Sequence, residues 1–112
     1  MTTCDLADRT CEPCAGGVAP FDAATARAHL DGLTGWTLSD DATIMTRRFD
    51  FKGFAKAVEM ANLAAWLGNK QGHHPDIAFG WGYCTVSFTT HEAGGLTEND
   101  LICAARLDAL VA

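Results

Sequence analysis

The sequence lacks the features of a membrane-inserted or exported chain. It contains no run of about 18 apolar residues, the length at which a helix begins to span a bilayer. Residues 1–14, MTTCDLADRTCEPC, contain neither the basic stretch nor the apolar segment of a signal peptide. We therefore expect a cytoplasmic protein without a membrane-spanning helix.

Positive charge is scarce as well. The 112 residues include 8 Lys and Arg against 14 Asp and Glu, which gives a net charge of −6, and the longest basic run is Arg47-Arg48. Proteins that bind a phosphate backbone present clustered Lys and Arg side chains to it. Direct binding of nucleic acid is therefore not expected.

Cysteine is present in an odd number, and its placement does not indicate a disulfide framework. Of the 5 cysteines, Cys84 and Cys103 lie within apolar patterns, where a reduced thiol packs as a small hydrophobic side chain. With 48% hydrophobic residues, a chain of this length can bury one core without disulfide or metal cross-links. A single compact domain is the expectation.

The N-terminal segment differs in composition from the rest of the chain. It contains two prolines, a Gly-Gly pair and three of the cysteines, Cys4, Cys11 and Cys14. We predict a flexible N-terminal arm over residues 1–20 and one folded domain over residues 21–112. The Cys11-x-x-Cys14 pair leaves a metal site in the arm as an alternative, although a zinc knuckle has a second close pair of ligands.

Hydrophobic periodicity predicts seven secondary-structure elements in the order α-β-β-α-β-β-α. Asp22, Asp50 and Thr97 stand where the N-caps of the three helices belong. The predicted elements are a helix over about 22–31, a hairpin over 35–50, a helix over 51–70, a second hairpin over 76–90 with its turn near Trp81-Gly82, and a helix opening at Thr97. This order implies an α+β fold, a four-stranded, mainly antiparallel sheet with helices packed on one face.

Three of the four histidines bracket the second predicted hairpin. If its turn is centred between Gly82 and Tyr83, His74 and His91 face each other across the open end, with Cβ atoms about 5 Å apart. Adjacent residues of an extended segment point to opposite faces, so His73 joins this pair only if the backbone bends. The pattern indicates either a site or a coincidence of polar strand ends, and the residues alone leave both open.

A site of this kind would hold a metal or transfer a proton. Imidazole is a common zinc ligand, but the chain has neither an H-x-H nor an H-x3-H pattern, and no acidic residue stands at a familiar ligand spacing. Proton transfer is favoured, because the imidazole pKa lies nearest neutral pH. The remaining histidine, His29 on the first predicted helix, has no expected role.

Asp100 has two possible roles at the start of the last predicted helix. It stands three residues after Thr97, the spacing of a capping box, in which its carboxylate would accept a backbone N–H. A compact fold could also bring it to the histidines, where it would fix the tautomer of an imidazole. The sequence alone favours capping but leaves the second role open.

Taken in chain order, His73-His74-Pro75, Trp81, His91 and Asp100 keep a distinctive spacing. This pattern resembles that of the pterin-4a-carbinolamine dehydratase family. The resemblance covers about residues 20–112 and includes Trp36 after the first helix, Phe51 to Phe54 at the start of the long helix, and the stretch THEAGGLTENDL after the second hairpin. One position departs from the pattern, since Asn69 stands where the family usually has an acidic residue.

The resemblance implies dehydration of a 4a-hydroxytetrahydropterin to the quinonoid dihydropterin and water. This step recycles the pterin cofactor of aromatic amino-acid hydroxylation, such as phenylalanine hydroxylation, and requires no metal or redox cofactor. By the same resemblance, His73 and His91 are the acid/base pair. The sequence leaves open which of the two is the base and which the acid, and of the two assignments we favour His73 as base and His91 as acid. His74 is a substrate-binding neighbour, and Asp100 orients an imidazole.

Further expectations rest on the same resemblance. The backbone around Thr89 and Thr90 is expected to bind the pterin, and Trp81 either stacks on the pterin ring or, as we favour, packs against the sheet. An aromatic amino-acid hydroxylase is the expected functional partner, and a homodimer or homotetramer the expected assembly. The alternative is a non-catalytic binding or dimerisation-regulating module of the same fold.

Overall fold

The computed structural model describes residues 6–11 and 19–112, so Cys4 and Cys14 of the predicted arm lie outside the described residues. Its elements are α1 (Ala23–Leu30), β1 (Trp36–Leu38), β2 (Met45–Asp50), α2 (Ala55–Gln71), β3 (Asp76–Gly80), β4 (Tyr83–Phe88) and α3 (Glu98–Val111). The predicted order of elements is confirmed. Within the described ranges, no helix is long and apolar enough to cross a membrane.

The four strands form one antiparallel sheet in the order β1-β2-β4-β3. The two hairpins therefore join through β2 and β4, which pair from Met45↔Phe88 to Asp50↔Tyr83. Along β4, buried residues alternate with half-buried Thr85 and Ser87 on the other face, as the period of a strand requires. The helices cover the apolar face, which confirms the predicted α+β fold.

The core lies between this face and the helices. The largest fully buried apolar side chains are Phe88, Met45, Leu96, Leu101, Leu107 and Val86. Alanines of α2 complete the contact, because small side chains allow a helix to approach a sheet closely. At the N-terminus of α1, Asp22 caps the helix as predicted, since its carboxylate accepts the Thr25 N–H at 2.8 Å.

The long helix α2 begins later than predicted, and the prediction that Asp50 caps it is wrong. Asp50 is the last residue of β2, and its carboxylate accepts a hydrogen bond from the Arg48 side chain at 2.9 Å. The segment that follows Asp50 is held by hydrogen bonds to the turn of the second hairpin. The Phe51 N–H donates to the Gly82 carbonyl at 2.9 Å, and the Gly82 N–H donates to the Gly53 carbonyl at 2.9 Å. These bonds hold residues 51–53 outside the helix, which starts only at Ala55.

The turn between β3 and β4 lies one residue earlier than the predicted pairing of His74 with His91 required. Gly80 pairs with Tyr83, and the second residue of the intervening two-residue turn is a glycine at φ +86°, a conformation that glycine adopts readily. Continued beyond its last pair, this register places Thr89 opposite His74. The predicted cross-strand pair of His74 and His91 is therefore wrong.

Candidate active site

The end of α2 positions the His-His-Pro segment. The helix terminates at Gly72, whose φ is +67°, and the His73 N–H returns to the Gly68 carbonyl at 3.0 Å. A Cβ at Gly68 would lie 2.4 Å from Cδ of Pro75, closer than a methyl group can fit. Because Gly68 has no side chain, the His-His-Pro segment can cross close to the helix. This close crossing determines the position of His73.

The start of α3 supplies the partner of His73. Nε2 of His73 lies 2.5 Å from Oδ1 of Asp100, a side chain with no solvent exposure. The other carboxylate oxygen accepts the Thr97 N–H at 2.9 Å, as in a capping box. The two roles considered for Asp100 are thus compatible, because each uses a different oxygen of the same carboxylate.

A third group binds the same carboxylate. The Thr90 hydroxyl, just beyond the end of β4, donates to Oδ2 of Asp100 at 2.7 Å and lies 2.8 Å from the Thr97 hydroxyl. We call His73, Asp100, Thr90 and Thr97 the carboxylate cluster. It joins three parts of the fold, the end of α2, the end of β4 and the start of α3. A buried carboxylate needs such donors, because leaving it unpaired away from water is strongly unfavourable.

The carboxylate cluster determines the protonation of His73. An ionised carboxylate only accepts hydrogen bonds, so Nε2 of His73 donates to Asp100 and Nδ1 is left to take up or release a proton. Burial lowers the pKa of His73, but the hydrogen bond and negative charge of Asp100 raise it further, so that the net pKa is above its ordinary value. The Phe88 ring stacks beside the imidazole, with ring centroids 6.2 Å apart and an angle of 11° between the ring planes.

His74 and His91 stand outside the carboxylate cluster. Both are exposed, and no hydrogen bond within residues 6–11 and 19–112 joins either imidazole to His73 or Asp100. His91 nevertheless follows directly after Thr90 and begins the turn that the backbone bridge between Thr90 and Gly95 closes. All three histidines therefore lie at the open end of the β3–β4 hairpin, although only His73 is held by a side-chain partner.

Thr89 and Thr90 are engaged within the protein. The Thr90 hydroxyl is committed to the carboxylate cluster, its N–H donates to the Gly95 carbonyl at 3.0 Å, and its own carbonyl accepts the Gly94 N–H at 3.0 Å. The Thr89 hydroxyl donates to the Thr43 carbonyl at 2.6 Å. Thr90 thus holds Asp100 in place, a different role from the substrate contact predicted for it.

Trp81 lies at the opposite end of the hairpin from the histidines. Its side chain is 74% exposed, so the prediction that it packs against the sheet is wrong. The five residues of β3 separate the two ends by about 17 Å. Within one chain, Trp81 therefore does not reach a substrate held at His73.

Residues 19–110 match the family described as pterin 4 alpha carbinolamine dehydratase. The chain belongs to this family. The family name describes a hydro-lyase, and this chain is an enzyme of that class.

Relatives of similar length carry the same name provisionally. A pterin-4-alpha-carbinolamine dehydratase of Paracoccus denitrificans is 53% identical over 93 residues, which cover 83% of this chain and 87% of the relative. Another from Methylococcus capsulatus is 45% identical over 112 residues, which cover 100% of this chain and 98% of the relative. The similarity to these pterin dehydratases therefore extends over most or all of both chains.

Two solved structures share the pterin dehydratase fold. A transcriptional coactivator/pterin dehydratase from Brucella melitensis superposes with a TM-score of 0.75 at 29% identity, covering 83% of this chain and 99% of that one. A pterin dehydratase-like protein identified as a RuBisCO assembly factor in the alpha-carboxysome superposes with a TM-score of 0.58 at 26% identity, covering 70% and 90%. The fold of the family therefore also occurs in proteins described by other roles.

Asn69 stands where the family usually has an acidic residue. The Asn69 side chain is exposed on the last turn of α2, and its carbonyl accepts the Gly72 N–H at 3.3 Å. Among the described residues, no three His, Cys, Asp or Glu side chains converge in a way that could hold a metal ion.

The sequence did not point to Gly68 or to the hydroxyl of Thr90 as parts of the site. A glycine in the last turn of an alanine-rich helix was the one available signal.

Proposed function

We propose that this chain dehydrates 4a-hydroxytetrahydropterin to quinonoid dihydropterin and water by histidine acid/base catalysis, with His73 as the base. The observation that supports this most directly is the 2.5 Å contact between Nε2 of His73 and Oδ1 of the fully buried Asp100. A carboxylate in that position holds the neutral imidazole in one tautomer and stabilises the imidazolium that forms when Nδ1 accepts a proton.

The reaction requires one proton to be removed and another to be supplied. Nδ1 of His73 takes the proton from N5 of the pterin, and the electron pair of the N5–H bond forms the N5–C4a double bond. The C4a–O bond breaks, and the departing hydroxyl leaves as water once it has accepted a proton. Each well-placed acid or base accelerates such a step by about 10²–10⁴-fold.

His91 is the proposed acid. It is exposed and directly follows Thr90, so it is available to a substrate above the carboxylate cluster. His74, also exposed, is the proposed substrate-binding neighbour, together with the backbone at Thr89. Recycling of the pterin for an aromatic amino-acid hydroxylase, a homo-oligomeric assembly and a cytoplasmic location are further parts of this proposal.

The proposal is tested by the dehydration rate of freshly generated 4a-hydroxytetrahydropterin. His73→Ala and His91→Ala should each lower kcat/KM by about 10²–10⁴-fold, and the double variant should approach the uncatalysed rate. His29→Ala is the matched control, because it removes a histidine of α1 whose described ring contact is with Phe21 and not with the carboxylate cluster, and it should leave the rate unchanged. Full activity of the double variant would refute the assignment.

A binding or dimerisation-regulating role is the second candidate. It is favoured by the two solved structures of this fold that are described as a coactivator and as an assembly factor. A surface for recognition does not need a buried carboxylate paired with a titratable imidazole, so the carboxylate cluster favours catalysis. The two roles separate experimentally, since His73→Ala/His91→Ala would abolish catalysis but leave a stable hetero-complex intact.

A further inference from the structure

Two cysteine side chains meet beneath the carboxylate cluster. Sγ of Cys11 lies 3.4 Å from Sγ of Cys103, which is on α3 three residues after Asp100. The Cys103 thiol also lies 4.0 Å from the His73 carbonyl, with the geometry of a weak hydrogen bond to it. The proposed catalytic base needs neither thiol, so the pair is a feature that the proposed reaction does not explain.

The segment that contains Cys11 is fixed against the helices at several points. The Cys11 N–H donates to the side-chain carbonyl of Gln71 at 3.0 Å, and its thiol donates to the Asn99 carbonyl at 3.5 Å. Leu6 is buried in the core, and the Arg106 side chain donates to the Arg9 carbonyl. The two sulfur atoms are therefore held near each other by contacts of Cys11 itself and of Leu6 and Arg9 before it.

The two thiols differ in accessibility and acidity. Cys11 is half-buried, whereas Cys103 has no solvent exposure. The hydrogen bond from Cys103 lowers the pKa of the Cys11 thiol, and this same hydrogen bond together with burial raises the pKa of Cys103. Because the thiolate is the reactive form, Cys11 is the thiol that an oxidant should attack first and Cys103 is its nearest resolving partner.

We propose that Cys11 and Cys103 are an oxidisable dithiol that hydrogen peroxide converts to an intramolecular disulfide. The Cys11 thiolate attacks one peroxide oxygen, so an S–O bond forms while the O–O bond breaks and hydroxide leaves. Cys103 then attacks the Cys11 sulfenic acid, so the S–S bond forms, the S–O bond breaks, and the departing hydroxide takes the Cys103 proton. In total, two thiols lose two electrons, and one peroxide is reduced to two waters.

The disulfide requires only a small movement. Its two sulfur atoms must approach from 3.4 Å to about 2.0 Å, which side-chain rotation and a slight backbone shift can supply. The product would attach residues 6–11 covalently to α3 below His73. A cross-link between residues so far apart in sequence should stabilise the folded state, because it restricts the unfolded chain.

The test maps disulfides in the full chain after oxidation. Reduced protein is treated with stoichiometric hydrogen peroxide, free thiols are alkylated, and peptides are sequenced by mass spectrometry. A Cys11–Cys103 link that dithiothreitol reverses is the expected result. A link from Cys11 to Cys4 or Cys14, or oxidation of Cys11 to sulfinic acid without a link, would overturn the proposal. The peptide map does not depend on dehydratase activity, so its outcome is separate from that of the proposed function.

Thermal unfolding of the oxidised protein gives a second readout. The melting temperature should rise on the order of 10 °C on oxidation and return on reduction. Cys103→Ala should abolish both the link and the rise, whereas Cys84→Ala, a matched change at another buried cysteine, should retain both. A link without a rise in melting temperature would mean that the disulfide does not fit the folded structure, and this would also overturn the proposal. The wild-type map remains decisive if Cys103→Ala does not fold.

Discussion

The two ends of the β3–β4 hairpin are stabilised in different ways. At the turn end, backbone hydrogen bonds of Gly82 to Phe51 and Gly53 hold the chain, and the Trp81 side chain extends into solvent. At the open end, side chains carry the hydrogen bonds, and the Asp100 carboxylate receives three of them without any exposure. Backbone hydrogen bonds thus hold the turn end of the hairpin, whereas hydrogen bonds of particular side chains hold its open end.

The difference indicates where chemistry can occur. Backbone bonds tolerate changes of side chain, whereas a buried polar network is stable only when every member is satisfied. The open end contains the one described ion pair that joins a histidine to a carboxylate, His73 with Asp100, among residues 6–11 and 19–112. The negative charge of Asp100 there stabilises the protonated imidazole of His73, and no such pair of a histidine with a carboxylate is described at the turn end.

The largest effect should come from Asp100→Asn at the open end. An amide has one acceptor oxygen, so it can accept from both Thr90 and Thr97 only when its NH₂ group faces His73. That NH₂ group would donate to Nε2 and turn His73 to the tautomer with its proton on Nδ1, the nitrogen proposed as the base. We expect kcat/KM to fall by about 100-fold or more and the free energy of unfolding to fall by about 2–4 kcal/mol. Pterin dehydration kinetics and urea denaturation measure these changes. Unchanged kinetics would remove Asp100 from the site.

The pH dependence of the open end follows from the raised pKa of His73. A base must be unprotonated, so kcat/KM should rise with pH through a limb above about pH 6.5, the ordinary histidine value, and Asp100→Asn should move that limb to lower pH. Stability should change in the opposite sense. The pairing of His73 with Asp100 contributes fully below about pH 6.5 and is lost as pH rises through the folded pKa. Denaturation curves across this range, compared between wild type and Asp100→Asn, check the sign.

A pair of glycine substitutions compares the two ends next. In Gly68→Ala the new methyl group meets the Pro75 ring at 2.4 Å and must displace the backbone that positions His73. We expect the free energy of unfolding to fall by about 1–3 kcal/mol and the activity to be lower, although alanine is otherwise the better helix former. In Gly80→Ala at the turn end, the contact is with the Tyr83 ring at 2.8 Å, which can move aside. Equal losses of stability in the two variants would contradict the comparison.

Two threonines, one within β4 and one just beyond its end, test the hydroxyl contacts. Thr90→Val removes the donor to Asp100 and should lower the free energy of unfolding by about 1–3 kcal/mol, with reduced kcat. Thr85→Val makes the same chemical change on the other face of β4, where the hydroxyl has only a 3.4 Å contact with the Ala78 carbonyl. The free energy of unfolding of Thr85→Val should stay within about 0.5 kcal/mol of the wild-type value. Chemical denaturation and dehydration kinetics of both variants provide the measurement.

The smallest effect should come from Trp81→Ala at the turn end. The side chain is 74% exposed, so its removal deletes little buried area, and we expect less than about 1 kcal/mol of destabilisation. Within one chain, kcat and KM should also be unchanged, because Trp81 lies at the far end of β3 from His73. A large increase in KM would show that Trp81 reaches a pterin from elsewhere and would break the comparison between the two ends.

Particular residues show how far the sequence predicted this fold. The cap at Asp22, the apolar face of β4 and the seven-element order follow from local preferences that the neighbouring residues do not override. The cap predicted at Asp50 failed because long-range backbone bonds to Gly82 hold the residues that would have formed the first turn of the helix. The His74–His91 pairing failed because a one-residue difference in turn position changes every pair of the hairpin.

The sequence by itself determined the elements, their periodicity and the spacing of His73, His91 and Asp100, since these depend on neighbours along the chain. Only the tertiary structure decided that Asp100 both caps α3 and binds His73, that the Thr90 hydroxyl completes the carboxylate cluster, and that Cys11 meets Cys103. Apart from the cap, these contacts join residues 10 to 92 positions apart. They depend on how the helices pack on the sheet, because no local pattern specifies which oxygen or which sulfur faces which neighbour.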